Sequence, residues 1–248
     1  MPGDERSPRL TLGDVDVLSL LGSGAMEILG LLPRASNYTF LARVTGEGGD
    51  SLAVYKPRGG EAPLWDFPDG TLGQREVAAH LVAGELGWPW VPPTIYREGP
   101  EGPGSVQLFV DFDPEHHYFT LLPGREDVFR RIALFDAVVN NADRKGGHTL
   151  LASSGEIFVI DHGVCFHPAP KLRTVIWDFA GEPIDDPSLA DLRRLERALD
   201  DDGSLAAALA ELLRPEEVDS TRRRTAALLA QGRLPRPGTE RPYPWPAI

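Results

Sequence analysis

The stretch LFDAVVNNADRKGGHTLLASSGEIFVIDHGVCFH, residues 134–167, decides how the chain is read. It opens like a helix and passes through a polar loop carrying Asp143, Arg144, Lys145 and His148. A short apolar run follows, and the stretch then reaches Asp161-His162-Gly163. Asp143 and Asp161 are 161 − 143 = 18 residues apart, and the IFVI run between them reads as a strand. That layout can set two carboxylates at the mouth of one cleft, which is what a phosphate-bound metal ion needs. The plain alternatives are a turn closed by an Asp-Arg salt bridge and a carboxylate at a strand exit.

Working outward, the 248 residues suffice for one large domain or two lobes with a real core. The formal charge of −12 argues against general nucleic-acid binding or a resting place on an anionic membrane, since both reward basic surfaces. It leaves room for a local basic pocket for phosphates. A single cysteine, Cys165, permits no internal disulfide and fits a reducing compartment. No apolar run approaches the ~20 residues of a spanning helix. The opening MPGDERSPRL lacks the order of a signal peptide, so a cytoplasmic protein is expected, with no stable membrane association. Nothing in the sequence names an obligate protein partner.

Residues 10–32 are apolar, and Asp14 is a candidate cap for a short helix there. SNYTFLARVTGEGGDSLAVYKP reads as a hairpin with strands 38–44 and 52–56, ended by Pro57. From Thr71 the period changes to 3.6, and Gly87 is the expected helix stop. WPWVPPTIY is extended, EGPEGPG is a turn, and SVQLFVDF (105–112) is a strand buried on both faces. A boundary is placed between 112 and 113, separating a strand-rich N-lobe (1–112) from a mainly helical C-lobe (113–248). In the latter, 126–141 is helical, 189–232 holds two or three amphipathic helices, and the proline-rich tail 233–248 is irregular. The expected class is α+β.

Two upstream residues bear on the aspartates. Lys56 ends the second hairpin strand; such a lysine is ordinarily a solvated charge, or else a cation for phosphate oxygens. Glu76 sits in the first turn of the next helix; it either complements the helix N-terminus or orients Lys56 through an ion pair.

Strand lysine, helix glutamate, loop aspartate and post-strand Asp-x-Gly is the order used by protein-kinase-like folds. REVAAHLVAGELGWPWVPPT, SVQLFVDF, NNADRKGGHTLL and VIDHGVCFHP resemble segments of the phosphatidylinositol 3-/4-kinase-like family, type II phosphatidylinositol 4-kinases above all. The resemblance runs from about residue 36 to about 170 and looks like an actinobacterial branch of that superfamily. It implies a two-lobed kinase-like fold, with an antiparallel-sheet N-lobe and a mainly helical C-lobe. It also implies that ATP is the cofactor, together with Mg²⁺ or Mn²⁺.

Residue by residue, the resemblance puts Ser36 and Asn37 in the loop over the nucleotide phosphates. Residues 21–26 are a weaker second choice for that loop. Lys56 holds the phosphates and Glu76 pairs with it. The backbone of Gln107, Leu108, Phe109 and Val110 faces adenine. Asp143 orients or deprotonates the acceptor hydroxyl, Lys145 contacts the transferred phosphate, and Asp161 binds the metal. One residue departs from the pattern: at 143 + 5 = 148 these kinases carry Asn, the second metal ligand, and here it is His148. Imidazole is a poor ligand for Mg²⁺ and an acceptable one for Mn²⁺; a structural histidine is the alternative.

The implied activity is transfer of the ATP γ-phosphoryl group to a hydroxyl of a soluble small molecule or protein, with lipid ranked lower. The rival readings are a nucleotide-binding pseudokinase and an AMP-transferring enzyme of the same fold. Of the remaining singular residues, His116 and His117 read as a surface loop and Cys165 as a small buried apolar residue. Trp65 and Arg173 are secondary candidates for substrate contact, and the arginines at 222–224 read as a solvated helix face.

Overall fold

The alternation in FLARVTG and GDSLAVYKP builds the sheet that carries Lys56. The computed structural model describes residues 17–32, 37–47, 49–200, 202–238 and 241–248. Asp14 and Ser36 fall outside them. The described chain divides into two compact units.

The first unit comprises the described residues up to Val77 together with Pro92–Val110. A short helix α1 (Val17–Ser23) precedes a five-stranded antiparallel sheet of order β1-β2-β3-β5-β4. Its strands are β1 (Ala25–Leu31), β2 (Phe40–Gly46), β3 (Gly49–Pro57), β4 (Thr94–Gly99) and β5 (Gly102–Leu108). Ala42, Val44, Ala53, Tyr55, Val106 and Leu108 bury one face against Val17, Leu20 and Leu21 of α1. The expected hairpin forms, closing at Gly46 opposite Gly49.

β1 was not expected. AMEILGL has no clear period, and only its pairing with β2, Met26 opposite Val44 and Ile28 opposite Ala42, makes it a strand. β5 stops at Leu108, four residues earlier than the sequence suggests, and begins within the expected turn. Its Gly104 has a steric reason: a Cβ there would lie 2.3 Å from the Lys56 carbonyl oxygen.

The second unit is Ala78–Val91 with the described residues from Asp111 onward. The division therefore falls inside α2 (Leu72–Leu86), whereas the sequence reading drew one line after residue 112. The cause is burial. Ala78, Val82, Leu86, Trp88 and Val91 belong to the apolar cluster of the second unit, with Phe129, Ile132, Phe135, Val159, Phe166 and Leu192. Gly87 ends α2 at φ +70°. Arg194 donates to the carbonyls of Glu85 and Leu86, a cation where the helix leaves its last acceptors open.

The remaining elements are α3 (Tyr118–Leu121), α4 (Glu126–Val139), the hairpin β6 (Thr149–Leu151) and β7 (Ile157–Val159), α5 (Asp186–Ala198), α6 (Ser204–Ala210) and α7 (Pro215–Gln231). The tail after α7 is irregular in its described part.

Arg224 corrects the expectation for residues 222–224. Arg222 and Arg223 do keep to surface pairs with Asp219. Arg224 turns inward, donating to the carbonyls of Val138 and His167 and to Thr221 Oγ1. Burial pushes its guanidinium down to about 10. It thereby satisfies a last-turn carbonyl of α4 that the helix cannot. Arg224→Met keeps the stem and removes these bonds. The expected cost is about 2 kcal/mol, or a fall of about 4–8 °C in Tm. Arg223→Met is expected to stay within about 0.5 kcal/mol of wild type in the same melts.

Candidate functional site

In the first unit, Lys56 is the penultimate residue of β3 and Glu76 lies in the second turn of α2. Their side chains meet with Nζ 2.5 Å from Oε1. Glu76 is 3% exposed and the Lys56 side chain about a quarter exposed, so the carboxylate of the pair is sunk. Glu61 helps set the helix, since its carboxylate accepts from the backbone N–H groups of Leu72 and Gly73.

Asn37, three residues before β2, accepts from the Ala62 N–H through Oδ1 at 2.8 Å. Gln107 is buried and lies opposite Val54 on one side and Thr94 on the other, with its amide donating to Thr94 Oγ1. The N–H groups of Leu108 and Phe109 donate to the carbonyls of Pro93 and Leu52. Of the four residues expected to face adenine, Gln107 and Leu108 are thus sheet residues, while Phe109 and Val110 follow the strand end. A cavity of about 480 Å³ also opens in this unit beside Arg58, Glu61, Phe67 and Asp69. None of the expected site residues lines it. Trp65 is 92% exposed.

In the second unit, α4 ends at Asn140, which adopts the left-handed conformation with φ 54°. Its side chain donates to the carbonyls of His167 and Ala169 and accepts from the Lys171 N–H. The loop that follows is pinned from several sides. Arg144 N–H donates to the Arg173 carbonyl, Val175 N–H to the Arg144 carbonyl, and Gly146 N–H to the Ala247 carbonyl. The tail is thereby tied down, and Pro242 accepts from Thr174 N–H and Trp177 Nε1.

Asp143 and Lys145 form an ion pair at 2.9 Å. Burial raises the Asp143 carboxyl above its ordinary range; the Lys145 ammonium opposes this, the nearby Asp161 charge adds to it, and Arg173 opposes it. Asp161, two residues beyond β7, has φ 64° and a half-exposed side chain. His148 Nε2 lies 3.2 Å from Asp161 Oδ2. Its Nδ1 accepts from the Lys145 N–H at 3.4 Å. A neutral imidazole accepting at Nδ1 carries its proton on Nε2, so His148 donates to Asp161.

Asp143, Lys145, His148 and Asp161 are therefore gathered on one loop and one strand exit. Among the described residues no group of three or more His, Cys, Asp and Glu side chains could hold a metal by itself. The Asp161 carboxylate with His148 beside it fits a divalent cation shared with phosphate oxygens, the way Mg²⁺ is usually held. His116 pairs with Asp113 at 3.6 Å.

Sequence reasoning passed over Asp136, Asn141 and His162. All three are buried around Arg144, whose guanidinium meets the Asp136 carboxylate at 2.9–3.1 Å. The available signal was an acidic residue inside the apolar helical run LFDAVV.

No family model matches the chain. The Mycobacterium tuberculosis protein Rv2133c is 43% identical over 96% of this chain and 98% of its own length. Phosphatidylinositol 4-kinase gamma 4 of rice is 29% identical over 62% of this chain, a match spanning 31% of the rice protein. Two solved structures share the fold at low identity. Hydra Fam20 with sugar has a TM-score of 0.54 at 15% identity, covering 90% of both chains. The Golgi casein kinase with Mn/ADP bound has a TM-score of 0.51 at 14% identity, covering 87% of this chain and 74% of the other. The fold is a two-lobed, kinase-like α+β fold, and the chain belongs to the family of the M. tuberculosis protein Rv2133c.

Proposed function

We propose that this protein is an ATP-dependent phosphotransferase that moves the γ-phosphoryl group to a hydroxyl of a soluble small molecule or a protein. The observation that carries the reading is the Lys56–Glu76 contact. A strand lysine held by a buried helix glutamate is the pair that protein kinases use to grip nucleotide phosphates, and it stands on a kinase-like fold. Asn37, together with Ser36, contacts the phosphates, and the backbone at Phe109 and Val110 meets adenine.

Asp143 takes the acceptor proton. Its raised pKa makes it a better base than a solvated aspartate. Lys145, 2.9 Å from Asp143, offers a cation to the transferred group. Asp161 holds Mg²⁺ or Mn²⁺, and when bound the ion neutralises charge on the phosphate oxygens. His148 orients Asp161 through its Nε2 proton rather than replacing the missing asparagine as a ligand. Positioning and electrostatics supply the rate, as phosphoryl transfer requires.

The rice relative's name points toward a phosphoinositide acceptor, and the type II resemblance points the same way. A charge of −12 disfavours work at an anionic bilayer, so soluble acceptors rank first.

Calorimetric titration with ATP and Mn²⁺ tests the reading. Wild type is expected to bind. Lys56→Met, which keeps the stem and removes the charge, is expected to bind at least about tenfold more weakly, the loss of a charge-assisted bond. Equal binding by the two proteins would refute the assignment of Lys56. Binding with no ATP consumption toward any acceptor, by wild type and Asp143→Ala alike, would favour the pseudokinase. Adenylated product would favour AMP transfer.

A further inference from the structure

Both aspartates of the proposed site hang from one buried group, the Asp136 carboxylate. Asp136 and Arg144 are completely buried and paired. Arg144 Nε lies 3.1 Å from each carboxylate oxygen, and Nη2 lies 2.9 Å from Oδ1. The same carboxylate accepts from Asn141 Nδ2 at 3.1 Å, and Asn141 Oδ1 accepts from the Asp143 N–H at 3.0 Å. One branch therefore runs from Asp136 through Asn141 to Asp143.

The other branch runs through Arg144 to the two neighbours of Asp161. Arg144 Nη1 donates to the Ile160 carbonyl at 2.9 Å, and Nη2 lies 2.7 Å from His162 Nε2. A guanidinium only donates, so His162 accepts at Nε2. Asp161, held between these two grips, has φ 64°, in the left-handed region that aspartate enters more readily than most non-glycine residues. Burying a charge pair seldom stabilises a fold; well-packed apolar side chains of similar volume often do as well or better. The pair therefore needs another reason to be there.

We infer that the buried Asp136–Arg144 pair, with His162, is a positioning device that fixes the catalytic loop and the metal-binding Asp161 in one geometry. The inference rests on the phosphotransferase reading for what the geometry is for. Asp136, Arg144 and His162 touch neither metal nor substrate in this scheme; they act through Asp143 and Asp161.

The test uses the full chain, its melting temperature, and Mn²⁺ binding in the presence of ADP, read from the electron paramagnetic resonance of free Mn²⁺. His162→Gln restores an acceptor for Arg144 and is expected to bind Mn²⁺·ADP within about twofold of wild type. His162→Leu removes the acceptor and is expected to bind about 10–100-fold more weakly, the usual loss when an outer partner of a ligand is removed. Asp136→Leu/Arg144→Met replaces the pair with apolar groups; it is expected to stay folded and show a loss of the same order. If the double variant does not fold, the two His162 variants decide the matter. Wild-type-like binding by folded His162→Leu, or equal losses in His162→Leu and His162→Gln, overturns the positioning role alone. Absence of Mn²⁺·ADP binding by wild type overturns that role together with the phosphotransferase reading.

Discussion

Asp161→Asn is expected to abolish metal-dependent nucleotide binding while leaving the melting temperature within about 2 °C of wild type, as for an exposed substitution in a chain of this size. The fold has little reason to respond. The side chain is half exposed, and asparagine enters the left-handed region as readily as aspartate, so φ 64° is kept. On the proposed reading the site responds, because the amide takes away the carboxylate assigned to the cation. Removing an outer partner of a ligand costs about 10–100-fold in metal affinity, and loss of the ligand itself should exceed that. Asp161→Ala adds a backbone penalty of about 1 kcal/mol from the left-handed conformation, so it should melt lower as well as bind less. Titration of Mn²⁺·ADP alongside thermal melts separates the two effects. If Asp161→Asn unfolds the chain, Asp161 is structural.

Asp143→Asn is expected to lower turnover by about 10²–10⁴-fold, the usual contribution of a positioned base. It should not weaken the fold. Burial is the main cause of the raised carboxyl pKa, so the folded-state value lies above the unfolded one. Ionised Asp143 therefore costs the folded state stability as pH rises through that interval, and none below it, where both states are protonated. Asparagine mimics the protonated form, so at neutral pH the variant should melt at or above the wild-type temperature. The same shift sets the acid limb of the rate profile above the ordinary aspartate range. Lys145→Ala removes a cation that holds the carboxyl down, so it should move that limb to higher pH. A limb that stays put in Lys145→Ala would remove Asp143 from the role of base.

The hairpin around Gly46 and the helix ending at Gly87 could be read from sequence because alternation, helical period and glycine punctuation agree there. β1 could not, since AMEILGL is apolar without a period and becomes a strand only by pairing with β2. The cluster of Asp143, Lys145, His148 and Asp161 was readable because its residues sit close in sequence around one short hairpin. Asp136, Arg144, His162 and Arg224 were not, because a charge that will be buried looks the same in a sequence as one that stays in water. Asp136 came nearest to announcing itself, as an acid at a core position of α4. His148 was visible as a departure, but only its contacts with Lys145 N–H and Asp161 recast it as a donor.

A structure of the protein with a non-hydrolysable ATP analogue and Mn²⁺ tests the central claim most directly. The expected result has Lys56 Nζ on nucleotide phosphate oxygens, Asp161 on the Mn²⁺ with His148 still bonded to the carboxylate, and the γ-phosphate directed at Asp143. A nucleotide bound away from Lys56 and Asp161, or none bound at saturating concentration, would contradict it.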